Sequence, residues 1–106
     1  MDPLDSTTSL ALGDLDDREL VEQFTWMVKW CHYDPMGAER PSAFDTDELG
    51  NEIRGRMHGK QKASRELLEE YAAMVRWSHY DPHGFARPSR RDEYTLRRDV
   101  LKRMEG

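Results

Sequence analysis

The stretch Met27-Val28-Lys29-Trp30-Cys31-His32-Tyr33-Asp34-Pro35 returns further along the chain as Met74-Val75-Arg76-Trp77-Ser78-His79-Tyr80-Asp81-Pro82. Only the pairs Lys29/Arg76 and Cys31/Ser78 differ. Extended at the same offset, residues 13–59 lie on residues 60–106 with 20 of 47 pairs identical and no gap. Ordinary composition would give about three such identities. The match runs on through Gly37/Gly84, Arg40/Arg87, Pro41/Pro88, Ser42/Ser89 and Asp45/Asp92, and each half ends on a glycine, Gly59 or Gly106. A fixed internal offset of this kind is the mark of a duplicated structural unit.

The unit reads as a helical hairpin. Leu20, Val21, Phe24, Met27, Val28 and Cys31 fall at i, i+1, i+4, i+7, i+8 and i+11, one stripe of an α-helix, and Leu67, Leu68, Tyr71, Met74, Val75 and Ser78 repeat it. A second stripe runs through Leu49, Ile53 and Met57, and again through Leu96, Val100 and Met104. Ser42 and Ser89 each follow a proline and open Ser-x-x-Asp, which reads as a helix start with a variant capping box. Asp14, Asp16 and Asp17 are the cap candidates for the first helix, and Ser64 for the third. The expected elements are helices near 15–32, 42–57, 64–79 and 89–104. Gly50 and Gly55 weaken the second by up to about 1 kcal/mol each.

Two copies are too few for a solenoid. The expected fold is therefore all-α: two tandem helix–loop–helix (αα-hairpin) units, 13–59 and 60–106, closing about a pseudo-twofold axis into one four-helix domain, as a fused dimer would. Residues 1–12 have no counterpart and read as a flexible segment, although Leu10-Ala11-Leu12 could fold back. At 106 residues the chain has the size of one domain with a modest core.

The total charge of −5 hides an asymmetry, for residues 13–59 carry −6 and residues 60–106 carry +3. Halves of opposite sign imply different partners for each, or attraction between them. One cysteine, Cys31, excludes an internal disulfide and suits a reducing compartment. No apolar run approaches the ~18 residues a membrane span needs. The acidic start Met1-Asp2-Pro3-Leu4-Asp5 is not a secretory signal. A cytoplasmic protein is expected.

The loop Tyr-Asp-Pro-x-Gly-x-x-Arg-Pro, residues 33–41 and 80–88, is the most specific feature of the sequence. Asp34, Arg40, Asp81 and Arg87 precede prolines and are pushed toward extended backbone. Trp30, His32, Tyr33 and Arg40, with their counterparts Trp77, His79, Tyr80 and Arg87, are of the types enriched at interface hot spots. They are candidate partner-binding residues. The competing and favoured reading of the loop itself is structural: Asp34 and Asp81 build the turn or pair with Arg40 and Arg87, and the rings cap the core. Trp26 stands apart, about 150° around the helix from its apolar stripe, with Trp30 one turn later. A pair so placed is covered by residues 1–12 and the other hairpin, the commoner outcome, or forms an exposed patch.

His32, Asp34, His79 and Asp81 would make a divalent-metal set if the loops met, but His-x-Asp from each half is a weak signal, and no metal or cofactor is expected. There is no Gly-rich phosphate loop, no CxxC and no nucleophile elbow, so a non-enzymatic role is expected. Arg90, Arg91, Arg97, Arg98, Lys102 and Arg103 make the last helix basic, the pattern of a phosphate-binding face. Asp92, Glu93 and Asp99 are interleaved with them as pairing partners. The sequence thus points to another protein as partner, through the Trp26/Trp30 face and the aromatic/Arg loops, with nucleic acid on the last helix as the alternative.

Overall fold

The computed structural model describes residues 11–33, 39–80 and 86–105, without the side chains of His32, Tyr33 and Tyr80. It is all-helical, with no strand among the described residues. A 3-10 turn, Leu12–Asp14, is followed by α1 (Asp17–Tyr33), α2 (Thr46–Arg56), α3 (Gln61–Tyr80) and α4 (Glu93–Glu105). The repeated Asp-Pro-x-Gly segments, with Asp34 and Asp81, lie outside the described residues, and so do residues 1–10.

The apolar stripes read from the sequence form one continuous core. Leu20, Val21, Leu49, Ile53, Tyr71, Val75, Leu96 and Val100 are all fully buried, so all four helices share it. α1 packs on α2 and α3, and α3 packs on α4. Phe24 and Tyr71, which occupy corresponding positions, stack on each other at a centroid distance of 6.5 Å. One member of each long-helix stripe departs from expectation: Cys31 and Ser78 are exposed. Cys31 opens onto a groove that it lines with Thr46, Asp47 and Gly50 of α2.

The helix starts also differ from expectation. α2 begins at Thr46, not at residue 42. Its N-cap is Asp45, whose carboxylate accepts the Glu48 N–H at 2.8 Å while Glu48 reaches back to the Asp45 N–H at 3.1 Å. α4 begins at Glu93, with Asp92 accepting the Thr95 N–H at 2.7 Å, a bond that holds the Asp92 carboxyl below its ordinary range. The serines serve another purpose. Buried Ser42 accepts the Phe44 N–H and donates to Gln23 Oε1 at 2.7 Å; buried Ser89 accepts the Arg91 N–H and donates to Glu70. Each thus pins the loop to the preceding long helix, and the Asp three residues on takes the cap. α1 is capped by Asp16, through the Glu19 N–H at 2.8 Å. α3 starts at Gln61, ahead of Ser64, whose buried hydroxyl accepts from Arg103 Nε at 3.2 Å instead of capping.

An arginine near the end of each short helix ties down the chain entering its own half. Arg56 donates to Asp17 Oδ1 at 3.0 Å and to the Leu12 and Gly13 carbonyls. Leu12, which the sequence assigned to a flexible segment, packs against the core. Arg103 lies against Gly59, where a Cβ would stand 2.7 Å from its guanidinium; with φ at +100° as well, that position needs glycine.

Gly50 is different. Its backbone is helical, and an added Cβ would meet Phe24 and Leu68 at 3.5 and 3.7 Å, ordinary contact. At Gly55 nothing lies within 4 Å. Gly50→Ala and Gly55→Ala should each stabilise the protein, by about 0.5–1 kcal/mol, as a higher urea midpoint with unchanged slope. A drop in midpoint for Gly50→Ala would show that Phe24 and Leu68 cannot accept the methyl group.

Candidate functional site

The candidate site follows from what each tryptophan is left to do. Trp30 and Trp77 sit in the last turns of α1 and α3 and are half-buried against the core edge. Each carries an arginine over its ring, Arg40 on Trp30 and Arg87 on Trp77, both at 5.8 Å. Arg40 also donates to the Ser42 carbonyl at 2.6 Å, and Arg87 to the Arg90 carbonyl at 3.5 Å. These pairs clamp the exit of each loop onto its long helix. Four of the residues read as partner-binding candidates therefore engage one another within the chain. His79 is exposed; the side chains of His32, Tyr33 and Tyr80 lie outside the described residues.

Trp26 behaves otherwise. It projects from the outer face of α1 and is 51% exposed, with the Lys29 ammonium 4.8 Å above its ring. The Trp26/Trp30 pair thus divides: Trp30 is half-covered and Trp26 is not. Beside Trp26 lies a shallow concavity of about 480 Å³, lined by Asp16, Arg18, Glu19, Glu22, Gln23 and Pro41 as well as the ring. Pro41 comes from the loop exit that Ser42 pins to Gln23, so that tether also shapes this surface. The sequence reading named Trp26 but missed the acids around it. The signal was available, because Glu19 and Glu22 lie seven and four residues before Trp26, on the same side of the helix.

No known protein family, curated protein or solved structure matches this chain. Its function is read from its own residues.

A second groove, of about 320 Å³, runs between α1, α2 and α3 over Phe24, Val28, Gly50 and Leu68, with Cys31, Arg54 and Arg76 at its edge. Among the described residues no group of three His, Cys, Asp or Glu could hold a metal ion. Asp34 and Asp81 of the possible metal set lie outside them.

The basic residues expected on the last helix do not form one free face, and Arg90 and Arg91 precede the helix, which starts at Glu93. Arg91 is held by Glu70 at 3.1 Å and Asp99 at 2.7 Å, and Arg103 is held by Ser64. Arg90, Arg98 and Lys102 are exposed, and Arg97 is half-buried. Every ion pair among the described residues stays within one half: Arg56 with Asp17 and Glu52, Arg91 with Glu70 and Asp99. Among the described residues no helix is long and apolar enough to cross a membrane.

Proposed function

We propose that this chain is a non-enzymatic protein-interaction module, an adaptor or inhibitor of a host or regulatory protein, that docks through the Trp26/Trp30 face of α1. The observation that carries the proposal is the half-exposed Trp26 beside a concavity. The core does not need this ring, and the corresponding position of the second half is the small residue Ala73. Large aromatics left in water on a rigid helix are the usual anchors of protein interfaces.

The scaffold we propose is the duplicated hairpin closed about a pseudo-twofold axis. Its support is that four local devices recur at the 47-residue offset: the Ser42 and Ser89 tethers, the Asp45 and Asp92 caps, the Trp–Arg clamps, and the Arg56 and Arg103 ties to Asp17 and Ser64. A duplicated unit keeps such constraints in both halves, while its surface diverges. We place the protein in the cytoplasm, where an exposed free thiol such as Cys31 stays reduced.

Trp26→Ala tests the function. A surface substitution of this kind should shift stability by no more than about 0.5 kcal/mol, leaving the melting temperature nearly unchanged, while capture of the native partner is lost. Unfolding of the variant would place the ring in the core and remove the docking surface. The rival reading is a nucleic-acid-binding regulator using the basic residues Arg90, Arg91, Arg97, Arg98, Lys102 and Arg103. Tight, salt-sensitive gel shifts abolished by replacing Arg97, Arg98 and Lys102 would establish that reading instead.

A further inference from the structure

Each of the three tryptophans carries a cation of its own chain, but only two of these cations are fixed by a second bond. Arg40 and Arg87 are anchored on the Ser42 and Arg90 carbonyls, and their rings are half-buried. Lys29 takes part in no ion pair among the described residues, and the ring it covers is half in water. An ammonium is a strongly hydrated, mobile point charge that gains little on an exposed ring. It can be replaced by a cation that finds additional partners there.

Those partners are present. Glu19 and Glu22 line the same concavity, and neither joins an ion pair among the described residues. Asp16 adds a third carboxylate, with one oxygen engaged in capping α1. Arg18 is the one base in the lining. An aromatic face beside unpaired carboxylates, in the half of the chain that carries −6, is complementary to a positively charged side chain.

Resting on the interaction-module reading, we infer that the Trp26 concavity receives a cationic segment of the partner protein, with an arginine or lysine laid on Trp26 and paired with Glu19 and Glu22. The site belongs to the first half alone. Glu66 and Glu69 repeat the two glutamates on α3, but Ala73 stands where the ring would be. The second half thus supplies an internal control in which the charge is present without the aromatic.

The experiment titrates the full chain with short peptides alternating Arg and Ala, and with matched peptides carrying Glu or Gln in place of Arg, at low and high salt. The Arg peptide should bind in preference to both others, and more weakly as salt rises. Trp26→Ala, and separately Glu19→Gln with Glu22→Gln, should each weaken binding about tenfold. Glu66→Gln with Glu69→Gln removes the same charge from the other half and should leave binding unchanged. Equal loss in the two glutamate variants would reduce the effect to net charge and overturn the inference. So would Arg-peptide binding that Trp26→Ala leaves intact. Self-association that Trp26→Ala abolishes and the Arg peptide does not displace would make a second copy the occupant and overturn it too. If the Arg peptide fails while Trp26→Ala still abolishes capture of the native partner, the cationic segment is refuted and the docking surface stands.

Discussion

Ile53→Ala should cost about 2–5 kcal/mol, the range for removing most of a fully buried aliphatic side chain. Ile53 has no exposed surface, and it belongs to a core that draws on all four helices. Each kcal/mol lost lowers the melting temperature of a domain of this size by about 4–8 °C. The second half of the expectation concerns cooperativity. Phe24 of α1 stacks on Tyr71 of α3, and α1 also packs against α4, so neither half can bury its stripe without the other. The variant should therefore unfold in a single transition, with helical circular dichroism and tryptophan fluorescence coinciding along a urea gradient. Two separated transitions, with the helices of residues 60–106 persisting after those of residues 13–59 have melted, would show two independent cores and defeat the shared-core account.

What was legible in the sequence was whatever repeats with the helical period. Leu20, Val21, Phe24, Met27 and Val28, and their counterparts, announced which faces turn inward, because burial is decided by spacing along the chain. What was not legible depended on competition between neighbours. Ser42 and Asp45 can both cap a helix. The aspartate caps and the serine tethers, because Gln23 on α1 and the Phe44 amide both lie within reach of the serine hydroxyl, and no local pattern reveals the position of Gln23. Cys31 fell on the stripe and still ended exposed, since periodicity does not show where the neighbouring helices leave a groove open beside it. Trp30 and Arg40 were read together as candidates for partner contact. That they face each other depends on the path of the loop between them, which sequence spacing leaves open. Trp26 was placed off the stripe, but its exposure turned on what covers it, and the acids beside it gain meaning only once Pro41 is brought alongside.

Tyr71 was read as a member of an apolar stripe and Thr25 was not singled out, yet their contact yields the sharpest asymmetry expected of this core. Both are buried, and their hydroxyls are hydrogen-bonded to each other. Thr25 Oγ1 also donates to the Val21 carbonyl at 2.7 Å. Its single proton is therefore committed to Val21, and Tyr71 must be the donor in the pair. Tyr71→Phe removes that donor and leaves Thr25 still bonded to Val21, so the loss should be about 0.5–1.5 kcal/mol. Thr25→Val keeps the shape but strands the Tyr71 hydroxyl in the core, at a cost of about 1–3 kcal/mol. The double variant should cost less than the sum, because no stranded donor remains. The same arrangement predicts the alkaline limb. Burial, the largest cause, raises the Tyr71 phenol above its ordinary 10.0. A raised acid of this kind contributes stability that is complete below the unfolded pKa and is lost as pH rises through the folded one. Wild-type stability should therefore hold up to about pH 10 as far as this group is concerned, and fall beyond it, while Tyr71→Phe lacks that component of the fall. Urea midpoints for the four proteins, at neutral pH and above pH 10, measure all of this. If Tyr71→Phe proves costlier than Thr25→Val, the proton between the two oxygens belongs to Thr25, and the assignment of donor and acceptor is reversed.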